Sequence, residues 1–174
     1  GVTTFKLVHE IDAGKIAYQS KIAINKNDNA GIIHDKLMYE GAKLVLKTVD
    51  AIIDNSIVLE SQEIDDCLLK PAPKIFKETC KIDWSLSTHK VDSFIRGLSP
   101  YPAAQTQLIR DDKKLGVKIF NATPILENHT YIPGTIVQRD SSELLVAVAD
   151  GFMNIIELQL QGKKRMKTKD FLNG

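Results

Sequence analysis

The sequence has 174 residues, of which 43% are hydrophobic and 26% are charged, and its formal net charge is +1. This composition is typical of a soluble globular protein with a real core, and the length lies between one small domain and two full ones. Apolar runs stay well short of the roughly 18–20 residues of a membrane span, and the first residues lack the pattern of a signal peptide.

The small net charge hides an uneven distribution along the chain. Residues 1–66 carry 7 Lys/Arg and 11 Asp/Glu, whereas residues 67–174 carry 16 and 11, which gives −4 and +5. A basic half joined to an acidic half suggests that the basic half has a polyanionic partner. The alternative is an ordinary solvated surface.

The first third of the chain predicts two strands and a long helix. Residues 2–8 are β-branched and apolar, a turn follows at 12–15, and residues 16–24 alternate as a second strand does. Apolar residues then recur with a period close to 3.6 over 29–54, which indicates a helix. Gly41 inside this helix suggests close packing against a neighbouring element.

The rest of the chain predicts a linker and a small β domain. Residues 60–74 lack the helical period and contain two prolines, which marks 59–74 as a linker. A helix over 87–96 is capped by Ser87 or Thr88. Five short strands with regular turns follow and fit a small barrel, for which the OB type is the usual five-stranded form. We expect these strands near 104–109, 115–122, 134–138, 144–149 and 154–160, with a short helix at the chain's end.

Common catalytic and metal-binding patterns do not occur in the sequence. It contains no GxGxxG, P-loop, GxSxG or HExxH string. The four histidines are far apart and share no metal-ligand spacing. Cys67 and Cys80 fit neither a zinc site nor a disulfide framework. We therefore expect no metal site, and reduced thiols in a cytoplasmic protein.

Asp12 and the basic C-terminal run are the two local signals of function. Asp12 lies in a Gly-containing turn between two strands, where an exposed functional side chain is easily built. The alternative is a turn-stabilising Asp that bonds its own backbone. The run over 162–169 could contact phosphates or form a solvated tail. Four aromatic residues could offer stacking faces, although such residues more often fill a core: Tyr101, Phe120, Tyr131 and Phe152.

Several strings resemble the methionyl-tRNA formyltransferase family. They run through almost the whole chain in order: G-V-T-T-F with I-D-A-G-K-I at 1–16, N-A-G-I-I-H-D-K-L at 29–37, I-D-W-S at 82–85, R-G-L-S-P-Y-P at 96–102 and E-L-Q-x-x-G-K-K-R-M at 157–166. The resemblance implies an α/β plus β fold. Residues 1–58 would be the end of a Rossmann-like catalytic domain, 59–74 the linker, and 75–174 an OB-like tRNA-binding domain.

The family transfers a formyl group from 10-formyltetrahydrofolate to the amino group of methionyl-initiator-tRNA, without a metal. The resemblance makes Asp12 the catalytic carboxylate beside an Asn and a His that lie upstream in the family. No histidine of this sequence is followed by the family's H-x-S-L-L-P string, and the usual D-T-G-D is D-A-G-K here. We therefore expect this chain to be an inactive fragment, which could self-associate through its truncated N-terminal sheet.

The resemblance also implies that basic residues of the second domain hold the tRNA. For Arg96 the alternative is an ion pair with a nearby carboxylate. The competing functions are formyl transfer to a sugar nucleotide, a non-catalytic RNA-binding module, and a purely structural interaction domain. The candidate tRNA-binding residues are Lys74, Lys77, Lys81, Arg96, Lys163, Lys164 and Arg165.

Overall fold

The computed structural model describes residues 1–62, 70–110, 113–140 and 143–173. The chain divides into two compact units. The first comprises 1–28 and 32–74, and the second comprises 29–31 and 75–174. Part of the predicted linker, residues 63–69 with Cys67, lies outside the described residues. None of the described helices is both long and apolar enough to cross a lipid bilayer.

The first unit contains two strands and one long helix. Strands β1 (Val2–Phe5) and β2 (Ile16–Ser20) pair antiparallel, because a short connection can join antiparallel but not parallel neighbours. Both strands are shorter than the sequence predicts. Helix α1 (Ala30–Ile53) confirms the predicted helix to within one residue at each end. It packs on the hairpin through a hydrogen bond of 2.8 Å between the hydroxyls of Thr4 and Thr48.

Gly41 corrects one expectation about α1. A Cβ atom at this position would meet only Val2 Cγ1, at 3.8 Å. That distance is an ordinary van der Waals contact, so no neighbour packs closely enough to require glycine. In addition, α1 buries only Leu44 and Ala51, while several large apolar side chains of its last three turns are exposed: Val45, Leu46, Val49, Ile52 and Ile53.

The second unit is a six-stranded antiparallel sheet with two helices. Its elements are α2 (Thr88–Leu98), β3 (Ala104–Arg110), β4 (Lys113–Leu126), β5 (Ile136–Val137), β6 (Leu145–Val148), β7 (Gly151–Leu160), β8 (Met166–Lys167) and α3 (Thr168–Asn173). Neighbouring strands follow the order β3-β4-β7-β6-β5, and β8 pairs with β7. The five predicted strands are confirmed in position, whereas the sixth strand, β8, was not predicted from the sequence.

The core of this unit lies between α2 and one face of the sheet. Ala104, Ile119 and Leu158 lie side by side on β3, β4 and β7 and are almost completely buried. Val91 and Ile95 of α2 belong to the same buried cluster. Side chains alternate between the two faces of a strand, so the residues next to this row point to the opposite face of the sheet.

The N-terminus of α2 is capped from a distant part of the chain. The Ser87 side chain makes no capping hydrogen bond. Instead, the backbone N–H of Thr88 donates to Asp150 Oδ1 at 2.6 Å. The expected local cap is therefore wrong, because Asp150 already satisfies this N–H of the first turn, which lacks a partner within the helix.

The two ends of the sheet are β3 and β5. Within the described residues no pairing joins them, so the closed OB-like barrel stays a prediction. The segment that leads into the unit runs along the outer side of β3. Lys81 forms a parallel bridge with Gln105, and the N–H of Ile82 donates to the Gln105 carbonyl at 2.8 Å.

Candidate functional site

The turn that carries Asp12 is fixed by its backbone. Gln62 Nε2 donates to the carbonyl oxygens of both Asp12 and Gly14, each at 2.7 Å. A Cβ atom at Gly14 would lie 1.6 Å from the carbonyl oxygen of Lys6, so this position requires glycine. Asp12 itself has a φ of 56°, a left-handed conformation that Asp tolerates better than most residues.

The Asp12 carboxylate is exposed and makes no hydrogen bond with any described residue. The alternative of a turn-stabilising Asp is therefore not supported, because Gln62 supplies the hydrogen bonds that hold the turn. An exposed carboxylate on a fixed loop can accept hydrogen bonds from a reactant or from another catalytic group.

The second unit contains an open groove with a volume of about 990 Å³. Its floor is the face of β3, β4 and β7 opposite the core, and the segment 75–81 lies along one side. Tyr101 and Pro102 form part of its rim. The groove lies wholly within residues 75–162.

A row of polar side chains crosses the floor of this groove. Gln105 of β3 lies opposite Lys118 of β4, and Lys118 lies opposite Gln159 of β7. Lys81 extends the row through its bridge to Gln105. Each of these residues is adjacent in sequence to a core residue, so strand alternation places them together on the outer face.

A second row lies one step further along the same strands. Gln107 is opposite Gly116, and the N–H of Gln161 donates to the Gly116 carbonyl at 2.8 Å. A Cβ atom at Gly116 would come within 3.2 Å of Gln161 Oε1. The absence of a side chain at Gly116 thus leaves room for this glutamine.

The groove is positively charged. Four lysines line it, and Glu78 is the one acidic residue among the described residues that line it. None of the four makes an ion pair with any described residue. Unpaired ammonium groups along a groove attract a polyanion such as a phosphate backbone. The four are Lys77, Lys81, Lys114 and Lys118.

The four candidate stacking residues differ sharply in exposure. Phe120 and Phe152 are 8% and 1% exposed and belong to the interior. Tyr131 lies beside His129, with 5.8 Å between ring centres. Tyr101 is 83% exposed at the rim of the groove, where Phe76 is 54% exposed.

The groove contains only some of the residues expected to bind tRNA. Lys77 and Lys81 line it, and Lys163 and Lys164 are exposed directly after Gly162, another lining residue. Lys74 is exposed in the segment that precedes the second unit.

The two expected arginines are held elsewhere by carboxylates. Arg96 Nε donates to Asp92 Oδ2 at 2.9 Å within α2, as the alternative for this residue anticipated. Arg165 pairs with Glu157 at 2.5 Å. Neither arginine lines the groove.

Sequence reasoning missed Lys114 and Lys118 as well as the glutamines beside them. The signal was present as polar residues next to buried ones, as in A-Q at 104–105 and V-K-I at 117–119. What joins these residues into one surface is the pairing register, which no single segment reveals.

Several strings that carry the family resemblance have structural roles. Asp83 Oδ1 accepts hydrogen bonds from the Ser85 hydroxyl and N–H, at 2.6 and 3.0 Å, and these bonds lower the pKa of Asp83. Trp84 Nε1 donates to Thr106 at 3.0 Å. Near the chain's end, Gln159 Nε2 donates to the Lys163 carbonyl at 2.8 Å.

No group of three or more His, Cys, Asp or Glu side chains is arranged to hold a metal ion in the part of the chain that the structure describes. The buried Cys80 is a free thiol whose sulfur donates to the Phe76 carbonyl. The groove and the Asp12 turn are therefore the two candidate sites.

Residues 74–174 match the family described as formyl transferase, C-terminal domain. Curated relatives named methionyl-tRNA formyltransferase include those of Bacteroides fragilis, 49% identical over 177 residues, and Flavobacterium johnsoniae, 41% identical over 174 residues. Each match covers 100% of this chain and 55% of the relative. The chain thus spans about half the length of the curated relatives it matches.

Solved structures with a similar fold include HypX from Aquifex aeolicus in complex with tetrahydrofolic acid. It is 18% identical with a TM-score of 0.72, and the match covers 98% of this chain and 29% of HypX. WlaRD, a sugar 3N-formyl transferase, is 20% identical with a TM-score of 0.53, and the match covers 93% of this chain and 55% of WlaRD. At these identities the likeness shows the fold alone.

Proposed function

This chain belongs to the formyl transferase family, and from that premise we propose that its protein formylates methionyl-initiator-tRNA with 10-formyltetrahydrofolate as donor. The support is the 41–49% identity to relatives named methionyl-tRNA formyltransferase. A sugar-nucleotide formyltransferase is the competing enzyme, and its support is the weaker likeness to WlaRD at 20% identity. We infer a cytoplasmic location, where initiator tRNA is charged and used.

Asp12 is the residue of this chain that fits the catalytic step. The donor supplies an electrophilic formyl carbon, which the amine of methionine attacks. The bond from this carbon to the folate nitrogen then breaks, so that tetrahydrofolate leaves with the proton lost by the amine. The exposed Asp12 carboxylate can orient the imidazole and water that remove the proton from the attacking amine. The turn fixed by Gln62 and Gly14 would keep this carboxylate in place during the reaction.

The chain by itself is proposed to be inactive, because the H-x-S-L-L-P string with which the family resemblance places the catalytic Asn and His does not occur among these 174 residues. Its own activity would be that of a non-catalytic RNA-binding module. Formyl transfer can be measured with the chain and with a protein of the relatives' full length. Formylation by the 174-residue chain would contradict this proposal. In the longer protein, Asp12→Asn should lower kcat on the order of 10²–10⁴-fold.

The groove of the second unit is proposed as the tRNA-binding surface, within an OB-like fold. The single observation that carries this proposal is the set of four groove lysines that make no ion pair with described residues. Lysines that approach phosphates displace condensed counterions, so binding should weaken steeply as the salt concentration rises. Lys163 and Lys164, exposed beside Gly162, would extend this surface.

The first experiment is a titration of the chain with initiator tRNA at about 50 and 200 mM salt. The double variant Lys81→Ala/Lys118→Ala should bind more weakly and should flatten the plot of log K against log salt by about 0.7–0.9 per lysine removed. Lys90→Ala is the matched control, because Lys90 is exposed on α2 and does not line the groove.

Two results would count against the proposed surface. Absence of tRNA binding at low salt would refute binding by this chain. An equal loss in the Lys90→Ala control would mean that overall charge, and not the groove, determines affinity. A sugar-nucleotide enzyme predicts no salt-dependent binding of tRNA.

We also propose that the chain self-associates through its N-terminal sheet together with the exposed apolar residues of α1, with a second copy as the occupant. Val45, Val49 and Ile52 are 53%, 46% and 55% exposed and follow a helical spacing. Exposed patches of this kind mark interaction surfaces. Light scattering should give a mass above that of the 19.4 kDa monomer, and Val49→Lys should reduce it. A monomer at all concentrations would contradict the proposal.

A further inference from the structure

Tyr101 is held in solvent at the rim of the groove. It is 83% exposed, and its ring makes no contact with an aromatic ring or a cation of the described residues. Pro100 and Pro102 flank it and restrict the backbone on both sides. A large aromatic face kept out of the core, in a groove that lysines line, provides a platform for a planar ligand.

The glutamines on the floor of the groove are also available to a ligand. The side chains of Gln105, Gln107 and Gln161 make no hydrogen bond with any described residue. Each amide offers both a donor and an acceptor, the combination that the edge of a nucleic-acid base requires. In a duplex the Watson–Crick edges are already paired, and the deep major groove of A-form RNA is closed to side chains.

The phosphate-binding and base-binding groups therefore occur together in one groove. We propose that this groove binds a single-stranded stretch of RNA, with a base stacked on Tyr101, phosphates beside the groove lysines and base edges facing the glutamines. This inference rests on the proposed function, which requires only that the second unit binds tRNA. It adds that the nucleotides held in the groove are unpaired.

The size of the groove agrees with this occupant. Its volume of about 990 Å³ lies at the upper end of the range of about 300–1,000 Å³ found for ligand pockets, so it has room for more than one nucleotide. Phe76, 54% exposed on the same groove, offers a second ring. Recognition through stacking and amides tolerates several bases, because every base has a planar face.

The test compares two RNA probes with the same number of phosphates, an unstructured single-stranded oligoribonucleotide and a blunt duplex. Affinities are measured at about 50 mM salt, where phosphate contacts are strong, for the unmodified chain and four variants. One of them, Lys118→Ala, removes a groove lysine. Tyr101→Ala removes the ring, and Tyr101→Phe keeps it. Tyr39→Ala is the matched control, because Tyr39 is 68% exposed on α1 and does not line the groove.

We expect tighter binding of the single strand than of the duplex. Tyr101→Ala should weaken single-strand binding about 5- to 100-fold, the range expected for loss of one stacked base. Tyr101→Phe and Tyr39→Ala should stay within about twofold of the unmodified chain, since both keep the groove's ring. Circular dichroism of each variant confirms folding.

Three other outcomes overturn the inference and are distinguishable. If tRNA binds with steep salt dependence but Tyr101→Ala leaves single-strand affinity unchanged, the inference fails and the proposed function stands. If neither tRNA nor either probe binds, the proposed function fails together with the inference. Preferential binding of the duplex, weakened by Lys118→Ala and not by Tyr101→Ala, also refutes a single-stranded occupant.

Discussion

Arg165 and Glu157 form an ion pair across the turn between β7 and β8, with 2.5 Å between Nη2 and Oε2. The Arg165 guanidinium also lies 4.2 Å from the centre of the Phe120 ring. Both contacts engage the Arg165 guanidinium within the protein. The three basic residues of the C-terminal run are therefore not equivalent, because Lys163 and Lys164 are exposed and make no ion pair with described residues.

This difference predicts that stability and tRNA binding can be separated by mutation. Arg165→Ala should lower the free energy of unfolding by about 1 kcal/mol, because an exposed ion pair and a cation–π contact each contribute a fraction of that value. Lys163→Ala and Lys164→Ala should leave the melting temperature unchanged and weaken tRNA binding. Thermal unfolding and tRNA titration of the three variants measure these effects. Weaker tRNA binding by Arg165→Ala with an unchanged melting temperature would contradict the prediction.

Two glycines of the first unit should respond oppositely to the same change. Gly14→Ala would place a methyl group on the Lys6 carbonyl, and a fixed backbone atom cannot move away cheaply. We expect a loss of about 3 kcal/mol or more. Gly41→Ala meets only Val2 at 3.8 Å and should stabilise α1 by about 1 kcal/mol. Calorimetry of both variants would test this, and a loss of stability in Gly41→Ala would mean that the position is packed more tightly.

The capping of α2 gives a third prediction. Asp150→Ala removes the acceptor of the Thr88 N–H and should destabilise the second unit by about 0.5–2 kcal/mol, the usual loss for a helix cap. Ser87→Ala should have no effect, since Ser87 makes no capping bond. Urea unfolding of the two variants measures both changes. A loss of stability in Ser87→Ala that exceeds the loss in Asp150→Ala would support the local cap that the sequence suggests.

The pH dependence of the first unit should reflect Asp28. The hydrogen bond from Lys36, at 2.5 Å, and then that from the Asn25 N–H hold the pKa of Asp28 below its ordinary value of 3.8. A carboxyl whose folded pKa is lowered stabilises the fold above the unfolded pKa, and this contribution is lost as the pH falls through the folded pKa. Asp28→Asn should therefore be less stable than the unmodified chain at pH 7.

The difference between Asp28→Asn and the unmodified chain should shrink as the pH falls below about 3.8. Urea unfolding followed by amide exchange in α1, at neutral and at acidic pH, would measure it. A difference that does not change with pH would show that Asp28 acts only through packing. Asp54→Asn is a suitable control, since Asp54 is exposed and makes no ion pair with a described residue.

Local patterns in the sequence predicted the elements well. The 3.6-residue period identified α1 to within one residue at each end, and turn residues separated the strands of the second unit. The predicted ends of the strands were less accurate. The apolar patterns of β1 and β2 run on beyond the few residues that pair with each other. The strand β8 has only two residues, too few to produce a recognisable pattern.

The candidate sites were predicted unequally. Asp12 was named because one local string carries both its turn and its family resemblance. The groove was not predicted as a surface, because Gln105, Lys118 and Gln159 become neighbours only through the register of three strands. Similarly, the cap on α2 comes from Asp150, 62 residues away from Thr88. Contacts between distant segments cannot be read from the spacing within either one.

The segment 75–82, in which Lys81 forms a bridge with Gln105, also covers the outer edge of β3. An uncovered edge strand offers backbone donors and acceptors to other chains and promotes aggregation. Cys80 and Ile82 anchor this cover in the core, while Lys77 and Lys81 of the same segment face the groove. A bound polyanion that contacts these lysines would keep the segment in place on β3, so the proposed binding of RNA should also protect the protein against thermal aggregation.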